Sequence, residues 1–280
     1  MNLILQGSAD PSTIQALAAP ARPVRIEAIP PHAWRCVGVD DSAEVRRQVE
    51  AASLDAGVDA TFIEAGIRLA DFRLLAMDMD STVITIECID EIADMQGLKP
   101  QVAAITEAAM RGEIDFAASL TRRVALLEGL DAGALQKVYD ERLRLSPGAE
   151  ALIGAARAAG VKTLLVSGGF TFFTDRVRQR LGMDYSHANV LEIANGRLTG
   201  KVVGGIVDAE EKKRTVERTC AELGVPASRA IVVGDGANDL KMMSIAGLSV
   251  AYRAKPVVRA QAHVALNFSG LDGILPLLAQ

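Results

Sequence analysis

Three short segments of the chain combine carboxylates, a serine and glycines, and each follows an apolar run typical of a buried strand. Asp78 and Asp80 follow LLAM, Ser167 follows KTLLV, and GDGAND occupies positions 234–239. Ligands of an open α/β sheet bind outside the carboxyl ends of its strands, so these segments are expected to meet. Converging aspartates repel one another unless a cation compensates, and ligand sets made of oxygen favour Mg²⁺. The segments therefore predict a magnesium site.

The same side chains suit chemistry at phosphorus. Asp78 could attack a phosphoryl group, and Asp80, two residues on, could protonate the leaving oxygen. Ser167 and the glycine amides after it could hold phosphoryl oxygens, while Lys212, near the start of a predicted helix, could neutralise their charge. Each motif alone has an ordinary structural explanation, namely a helix cap or a tight turn. Their position after three separate strands favours the catalytic interpretation.

Competing motifs do not fit. The segment GRLTGK at 196–201 has the wrong spacing for a phosphate-binding P-loop, and Val202 follows it. GDGAND lacks the third glycine of a dinucleotide fingerprint, and Ser167 lies outside a GxSxG frame. The histidines are scattered singly, which is typical of structural or solvated residues. They are His32, His187 and His263.

The composition limits which classes of partner and which cellular compartment are expected. A net charge of -5 and an aromatic content of 4% argue against a nucleic-acid surface, so a small polar substrate is expected. Cys36, Cys88 and Cys220 lie far apart without a CxxC pair, which indicates a reducing compartment. No apolar run reaches the ~18 residues of a membrane span. We therefore expect a cytoplasmic protein that contacts no membrane.

The pattern of elements divides the chain into two domains. Residues 1–70 predict a βαββαβ order, which is that of a small ferredoxin-like α+β domain. Residues 71–280 predict a doubly wound parallel α/β sheet, whose strands alternate with helices. Amphipathic helical segments at about 84–146 are too long for a simple crossover and predict an inserted helical cap. Asn195-Gly196 predicts a hairpin.

The segments at 78–82, 167–169, 212 and 234–239 resemble the haloacid dehalogenase (HAD) superfamily of phosphohydrolases, and the resemblance spans residues 71–280. DMDSTVITIECIDEIA, VSGGFTFF, IVDAEEK and VGDGANDLKMM are similar to the group within it that hydrolyses O-phospho-L-serine. The resemblance implies a HAD-like, Rossmann-like sheet with a helical cap. It also implies a Mg²⁺-dependent phosphatase that releases L-serine and phosphate through an aspartyl-phosphate, as the final step of serine biosynthesis.

The resemblance also implies roles for individual residues. Asp78 would be the nucleophile, and Asp80 the general acid that later activates water. Mg²⁺ would be held by the Asp78 carboxylate, the Asp80 main-chain carbonyl and Asp235, with Asp239 in support. The phosphoryl group would be bound by Ser167, Gly168 and Lys212, with Asn238 beside it.

Four residues in or under the cap form the implied substrate-recognition set: Glu87, Met110, Phe116 and Arg123. Glu87 would bind the ammonium of a phosphorylated amino acid, and Arg123 would bind its carboxylate through two hydrogen bonds. Met110 and Phe116 would shield the site from water. Without the resemblance, charged helical residues are usually solvated and apolar ones usually belong to the core.

Several alternatives remain open at this point. The N-terminal order is similar to that of ACT-type amino-acid-sensing domains, but the loop GSADPST lacks their glycine-rich sequence. A dimerising or purely packing role is therefore at least as well supported as effector binding, and a homodimer through this domain is one expectation. The catalytic domain could instead transfer the phosphoryl group to homoserine. A non-catalytic amino-acid-binding regulator is the third alternative, although every expected carboxylate is present.

Overall fold

The computed structural model describes residues 1–111 and 113–279, without the Met110 side chain. Its strands, numbered in chain order, are β1 Asn2–Gln6, β2 Arg25–Ile29, β3 Ala33–Val37, β4 Asp59–Ile63, β5 Leu74–Met77, β6 Lys162–Phe170, β7 Tyr185–Ala194, β8 Arg197–Val203, β9 Ala230–Gly234, β10 Leu248–Tyr252 and β11 Val264–Leu266. Its α-helices are α1 Pro11–Ala18, α2 Ala43–Asp55, α3 Cys88–Asp94, α4 Lys99–Met110, α5 Phe116–Ala125, α6 Gly133–Glu141, α7 Ala149–Ala158, α8 Thr171–Leu181, α9 Ala209–Glu222, α10 Leu240–Met243 and α11 Pro256–Arg259.

The larger sheet has the order β11-β10-β9-β5-β6-β7-β8 and is parallel except for β8. Alternate residues of β5 face opposite sides, as a buried strand requires. Leu75 and Met77 join the apolar cluster that contains α7 and α8, while Leu74 and Ala76 join the cluster that contains α9 and α10. Helices therefore cover both faces, and the predicted doubly wound α/β fold is confirmed.

Strand order brings the predicted chemical segments together. The chain crosses from β5 to β6 on one side of β5 and later returns to β9 on its other side. This reversal is a topological switch point, where open α/β sheets form a crevice for ligands. Helices α3–α6 lie between β5 and α7 along the chain, within the stretch at about 84–146 that is predicted as a cap. The β7–β8 hairpin turns at Asn195 and Gly196, whose φ angles of 51° and 75° suit a type I′ turn.

The N-terminal elements form a separate antiparallel sheet with the order β2-β3-β1-β4. One face packs Leu3, Leu5 and Phe62 against residues of α1 and α2, so the predicted ferredoxin-like arrangement is observed. The opposite face contributes Ile4 and Ile63 to the large apolar cluster of the catalytic sheet. The N-terminal sheet therefore packs its two faces against different partners. The domain boundaries at residues 70 and 71 stay a prediction.

Asp59 connects β4 of the N-terminal sheet to the segment that follows β11 of the larger sheet. This residue is 1% exposed and begins β4. Its carboxylate accepts hydrogen bonds from the backbone N–H groups of Asn267, Phe268 and Ser269 at 2.6–3.3 Å. Three successive N–H groups that face one carboxylate form an anion-binding concavity, which compensates the burial of the charge.

Replacing Asp59 with alanine should lower the free energy of unfolding by about 2 kcal/mol or more, because buried N–H groups lose a charged acceptor. Urea unfolding followed by circular dichroism measures the change. Asp55→Ala is the control, because Asp55 is exposed on α2 and its replacement should cost less than about 0.5 kcal/mol. Equal stabilities for the two variants would contradict this role of Asp59.

Candidate active site

Nine of the predicted site residues line one cavity of about 930 Å³ between the carboxyl edge of the sheet and the cap. They are Asp78, Asp80, Glu87, Phe116, Arg123, Ser167, Gly168, Asp235 and Asn238. Lys212 and Asp239 lie beneath the cavity, where both are fully buried. Met110 ends α4, and its side chain lies outside the described residues. None of the three histidines belongs to the cavity lining within the described chain.

Lys212 lies beneath the cavity and contacts two of the aspartates. Its Nζ atom lies 2.9 Å from Oδ1 of Asp78 and 2.8 Å from Oδ1 of Asp239. Burial alone disfavours the ammonium, but Asp239 and Asp78 outweigh that effect and raise the pKa of Lys212. The lysine is therefore held in its charged form. Asp208 positions it by capping α9, since its carboxylate accepts a hydrogen bond from the N–H of Glu211.

Asp78 is 5% exposed and presents its two carboxylate oxygens to different surroundings. Oδ1 accepts a hydrogen bond from the N–H of Met79 at 2.7 Å and also contacts Lys212. Among the described residues, no hydrogen bond reaches Oδ2. Burial and the nearby charge of Asp239 raise the pKa of Asp78 well above its usual value, against the opposing effect of Lys212. One oxygen is thus fixed, and the other is available for chemistry.

Asp80 and Asp235 also lie in an environment that disfavours negative charge. Burial and Glu87 raise the pKa of Asp80 to about 7. Burial and Asp239 raise the pKa of Asp235 to about 7, although Thr82 donates a hydrogen bond to Oδ1 of Asp235 at 2.9 Å. Carboxylates in this state bind an added positive charge readily.

The cluster fits a hard cation. Carboxylate oxygens of Asp78, Asp235 and Asp239 lie within 4.8 Å of one another, and the ammonium of Lys212 partly balances their charge. Oxygen donors of this kind suit Mg²⁺. Asp239, however, already uses both oxygens, because Oδ1 contacts Lys212 and Oδ2 accepts from the N–H groups of Asp235 and Gly236. Asp78 and Asp235 are therefore the side chains best placed to contact a cation directly.

Gly168 and Gly169 allow the 167–169 segment to lie close to Asp80 and to the cap. A Cβ atom at Gly169 would lie 2.6 Å from Oδ2 of Asp80, and a Cβ atom at Gly168 would lie 2.8 Å from Cζ of Phe116. The N–H of Gly169 donates to Oγ of Ser167 at 2.8 Å. Larger residues at 168 or 169 would push the 167–169 segment away from the carboxylates and the cap.

Helix α5 supplies the cap side of the cavity. Phe116, Leu120 and Arg123 follow a helical spacing of four and three residues, which places them on one face. The guanidinium of Arg123 is half-buried, and its Nε atom is buried with no hydrogen-bond partner among the described residues. Burial lowers the pKa of Arg123, against the opposing effect of Asp90, Glu87 and Asp80. An unpaired buried donor is costly, so this site favours an anionic ligand group.

Three further residues shape the site although the sequence analysis assigned them no role. Ser81 adopts a left-handed conformation with φ 56°, and its hydroxyl donates to Oε1 of Glu87 at 2.6 Å. Thr82 orients Asp235 as described above. Asp90 lines the cavity from the first turn of α3, three residues after Glu87, which immediately precedes that helix. In the sequence, the segment DMDST was the signal available for Ser81 and Thr82, and the spacing of three residues from Glu87 was the signal available for Asp90.

Comparison with known proteins agrees with this arrangement. A model of haloacid dehalogenase-like hydrolases matches residues 72–247. The chain belongs to this family. A protein of Polaromonas sp. named phosphoserine phosphatase is 58% identical over 217 residues, which are 76% of this chain and 92% of the relative.

Two solved structures match all or nearly all of the chain. The structure of a HAD family hydrolase from Salmonella enterica serovar Typhi has a TM-score of 0.91 and 33% identity, and the match covers 100% of this chain and 99% of that one. The structure of a probable phosphoserine phosphatase from Vibrio cholerae has a TM-score of 0.84 and 36% identity, covering 99% of this chain and 86% of that one. The expected superfamily membership is therefore confirmed for both sequence and fold.

Mg²⁺ should raise the thermal midpoint of the wild-type protein, because it neutralises carboxylates that lie close together. Folding raises the pKa of Asp235 from its usual 3.8 to about 7. The folded protein therefore loses stability as pH rises from 3.8 to about 7, because the unfolded chain ionises more readily over this range. At about pH 8 without Mg²⁺, Asp235→Asn should therefore raise the midpoint by about 3 °C or more, and Mg²⁺ should add little to it. Differential scanning calorimetry measures both effects.

The control for this experiment is Asp175→Asn, since Asp175 is exposed on α8 and lies outside the cavity lining. This variant should keep the full increase with Mg²⁺. An unchanged increase in Asp235→Asn would contradict the assignment of Asp235 to the cation site.

Proposed function

We propose that the protein is a Mg²⁺-dependent phosphoserine phosphatase that hydrolyses O-phospho-L-serine to L-serine and phosphate. The observation that carries this proposal is the buried Nε of Arg123, which has no hydrogen-bond partner in the part of the chain that the structure describes and which shares a cavity with Glu87 and Asp78. A phosphorylated amino acid offers a carboxylate, an ammonium and a phosphoryl group to these three positions. The names of the similar proteins from Polaromonas sp. and Vibrio cholerae support the same substrate.

In the proposed reaction, a carboxylate oxygen of Asp78 attacks phosphorus and the bond from phosphorus to the serine oxygen breaks. Asp80 donates a proton to that oxygen, and its pKa of about 7 makes it a suitable acid near neutral pH. Asp80 then takes a proton from water, whose oxygen attacks phosphorus and displaces the carboxylate of Asp78. Both the acid and the base step thus use one carboxyl group.

The phosphoryl oxygens would be bound by Ser167, Gly168 and Lys212, with Asn238 beside them. Ser167 and Gly168 line the same cavity as Asp80, and the ammonium of Lys212 contacts the carboxylate of Asp78. Negative charge that develops on the phosphoryl group is therefore close to a fixed positive charge.

Mg²⁺ would be held by the carboxylates of Asp78 and Asp235 and by the main-chain carbonyl of Asp80, with Asp239 in support. When bound, Mg²⁺ supplies charge neutralisation between the phosphoryl group and the attacking carboxylate. The raised pKa values of Asp78 and Asp235 support this assignment, since burial and the nearby charge of Asp239 disfavour the ionised carboxylates and a cation would offset both effects. Asp239 would act chiefly by holding Lys212 and the loop at 234–236.

Recognition of the serine part would fall to the cap. Arg123 would form two hydrogen bonds with the carboxylate, and Glu87, oriented by Ser81, would bind the ammonium. Phe116, which touches Gly168, would shield the reacting atoms from water. Met110 stays a prediction from the resemblance, because its side chain lies outside the described residues.

Other expectations keep their status as predictions. Within the described residues, none of the helices has the length and apolar character that crossing a bilayer requires. A cytoplasmic location remains a prediction from the sequence, as does the serine biosynthetic role. A homodimer through the N-terminal domain is supported by the edge strand β2, whose neighbour Val24 is 79% exposed and whose Ile26 is 37% exposed.

The purified protein should release phosphate from O-phospho-L-serine only when Mg²⁺ is present, and added homoserine should not acquire the phosphoryl group. Asp78→Asn should lower kcat by at least about a thousandfold, because an amide is a poor nucleophile for phosphorus. A phosphate-release assay, with product analysis by mass spectrometry, measures these results. Phosphohomoserine formation would favour the transferase, and no turnover with Mg²⁺ would favour the non-catalytic regulator.

Arg123→Ala should lower kcat/KM for phosphoserine by about 30- to 1000-fold, because two charge-assisted hydrogen bonds to the substrate carboxylate are lost. Phosphoethanolamine lacks a carboxylate, so the wild type should hydrolyse it poorly and Arg123→Ala should lose little further activity on it. Steady-state kinetics on both substrates give this comparison.

Arg122→Ala is the matched control, since Arg122 is exposed on the same helix. It should change neither activity. Arg123→Lys should restore only part of the loss, because an ammonium lacks the planar two-pronged geometry of a guanidinium. Equal losses on the two substrates would assign Arg123 to the phosphate site or to cap stability instead.

A further inference from the structure

The pairing between β6 and β7 is interrupted beside the proposed phosphoryl site. The register runs regularly up to Val166 opposite His187 and resumes with Phe170 opposite Asn189. Three residues of β6, at 167–169, therefore face a single residue of β7. Backbone groups in such a bulge leave the regular ladder and need other partners.

Asn189 supplies one of these partners. Its side chain is almost fully buried, with the residue 1% exposed. Nδ2 donates a hydrogen bond to the carbonyl oxygen of Gly168 at 2.8 Å. The N–H at the other end of the same peptide group, that of Gly169, donates to Oγ of Ser167. The peptide between 168 and 169 is thus held at both of its polar ends.

The second half of the Asn189 amide reaches a different element. Oδ1 accepts a hydrogen bond from the N–H of Val207 at 2.8 Å. Val207 immediately precedes Asp208, the residue that caps α9, and Lys212 lies in the first turns of that helix. One side chain therefore joins the bulge that contains Ser167 and Gly168 to the start of the helix that carries Lys212.

We propose that Asn189 is a positioning residue for phosphoryl binding, which sets the distance between the 167–169 segment and Lys212. This inference rests on the proposed function, because it assumes that both elements hold the phosphoryl group. The role needs a donor and an acceptor on one short side chain, and asparagine provides both. Aspartate in its ionised form would keep only the acceptor, and alanine would leave two buried backbone groups unpaired.

The test uses Asn189→Asp and Asn189→Ala in the full chain. The KM for phosphoserine and the inhibition constant for inorganic phosphate should both rise by about ten- to a hundredfold, because the phosphoryl-binding groups lose their relative position. Isothermal titration with inorganic phosphate provides a measure that is independent of turnover. Asn189→Asp keeps the size and the Val207 bond, so it serves if Asn189→Ala does not fold.

The Asn189→Asp variant also offers a pH signature. Protonation of the introduced carboxyl group creates an O–H donor for the carbonyl of Gly168. The deficit in phosphate affinity relative to the wild type should therefore shrink as pH is lowered from about 8 to about 5.5. A role confined to fold stability would not produce this change in the ratio of affinities.

Thr163→Val is the matched control, because Thr163 is fully buried and its hydroxyl makes two partly buried hydrogen bonds with Asp184 at the opposite end of β6. It should lower the thermal midpoint while leaving KM and phosphate affinity unchanged. The inference would be overturned if the Asn189 variants lost stability in the same way but bound phosphate as tightly as the wild type. A wild type that neither binds phosphate nor hydrolyses phosphoserine would overturn the proposed function as well.

Discussion

The ammonium of Lys212, buried between the carboxylates of Asp78 and Asp239, holds the catalytic edge of the sheet together. Its partners follow β5 and β9, and the lysine itself belongs to α9, so one charge joins three elements that are far apart in the chain. A buried ion pair costs desolvation free energy that is recovered only with good geometry and further hydrogen bonds. Asp239 meets that condition through two backbone N–H groups, and Asp78 through the N–H of Met79. The negative charge that remains creates the demand for a cation.

Strand order explains how this charge arrangement reaches a substrate. Because β5 lies between β6 and β9, the segments that follow β5 and β9 share one crevice with the carboxyl end of β6. The chain that leaves β5 forms the cap before it returns through α7 to β6, so Asp78, the proposed nucleophile, and the cap belong to one continuous stretch. The bulge at 167–169 then turns part of β6 out of the ladder and toward the carboxylates. The N-terminal sheet packs elsewhere, against the segment that follows β11.

Local signals in the sequence were sufficient for much of this arrangement. Apolar runs before Asp78, Ser167 and GDGAND predicted strand ends at one edge, although Ser167 lies in a bulge of β6, which continues to Phe170. Asn195-Gly196 predicted the hairpin that the structure contains. The strand order, in contrast, depends on packing between distant segments, which no short window of sequence reports. Asn189 illustrates the limit, because its partners are separated from it by 21 and 18 residues. Only the folded backbone brings Gly168 and Val207 within reach of its amide.

The core and the cap differ in how completely their polar groups are paired. On the core side Asp239, Lys212 and Ser167 already have partners within the chain, which fixes them before a ligand arrives. On the cap side the Nε of Arg123 has no hydrogen-bond partner among the described residues, and burial raises the pKa of Glu87. Binding a ligand with a carboxylate and an ammonium would satisfy both groups, whereas a ligand without them would leave a buried donor unpaired. Under the proposed function, discrimination between phosphate esters therefore depends chiefly on the polar groups that the cap leaves unpaired, since the core would bind the phosphoryl group that all of these esters share.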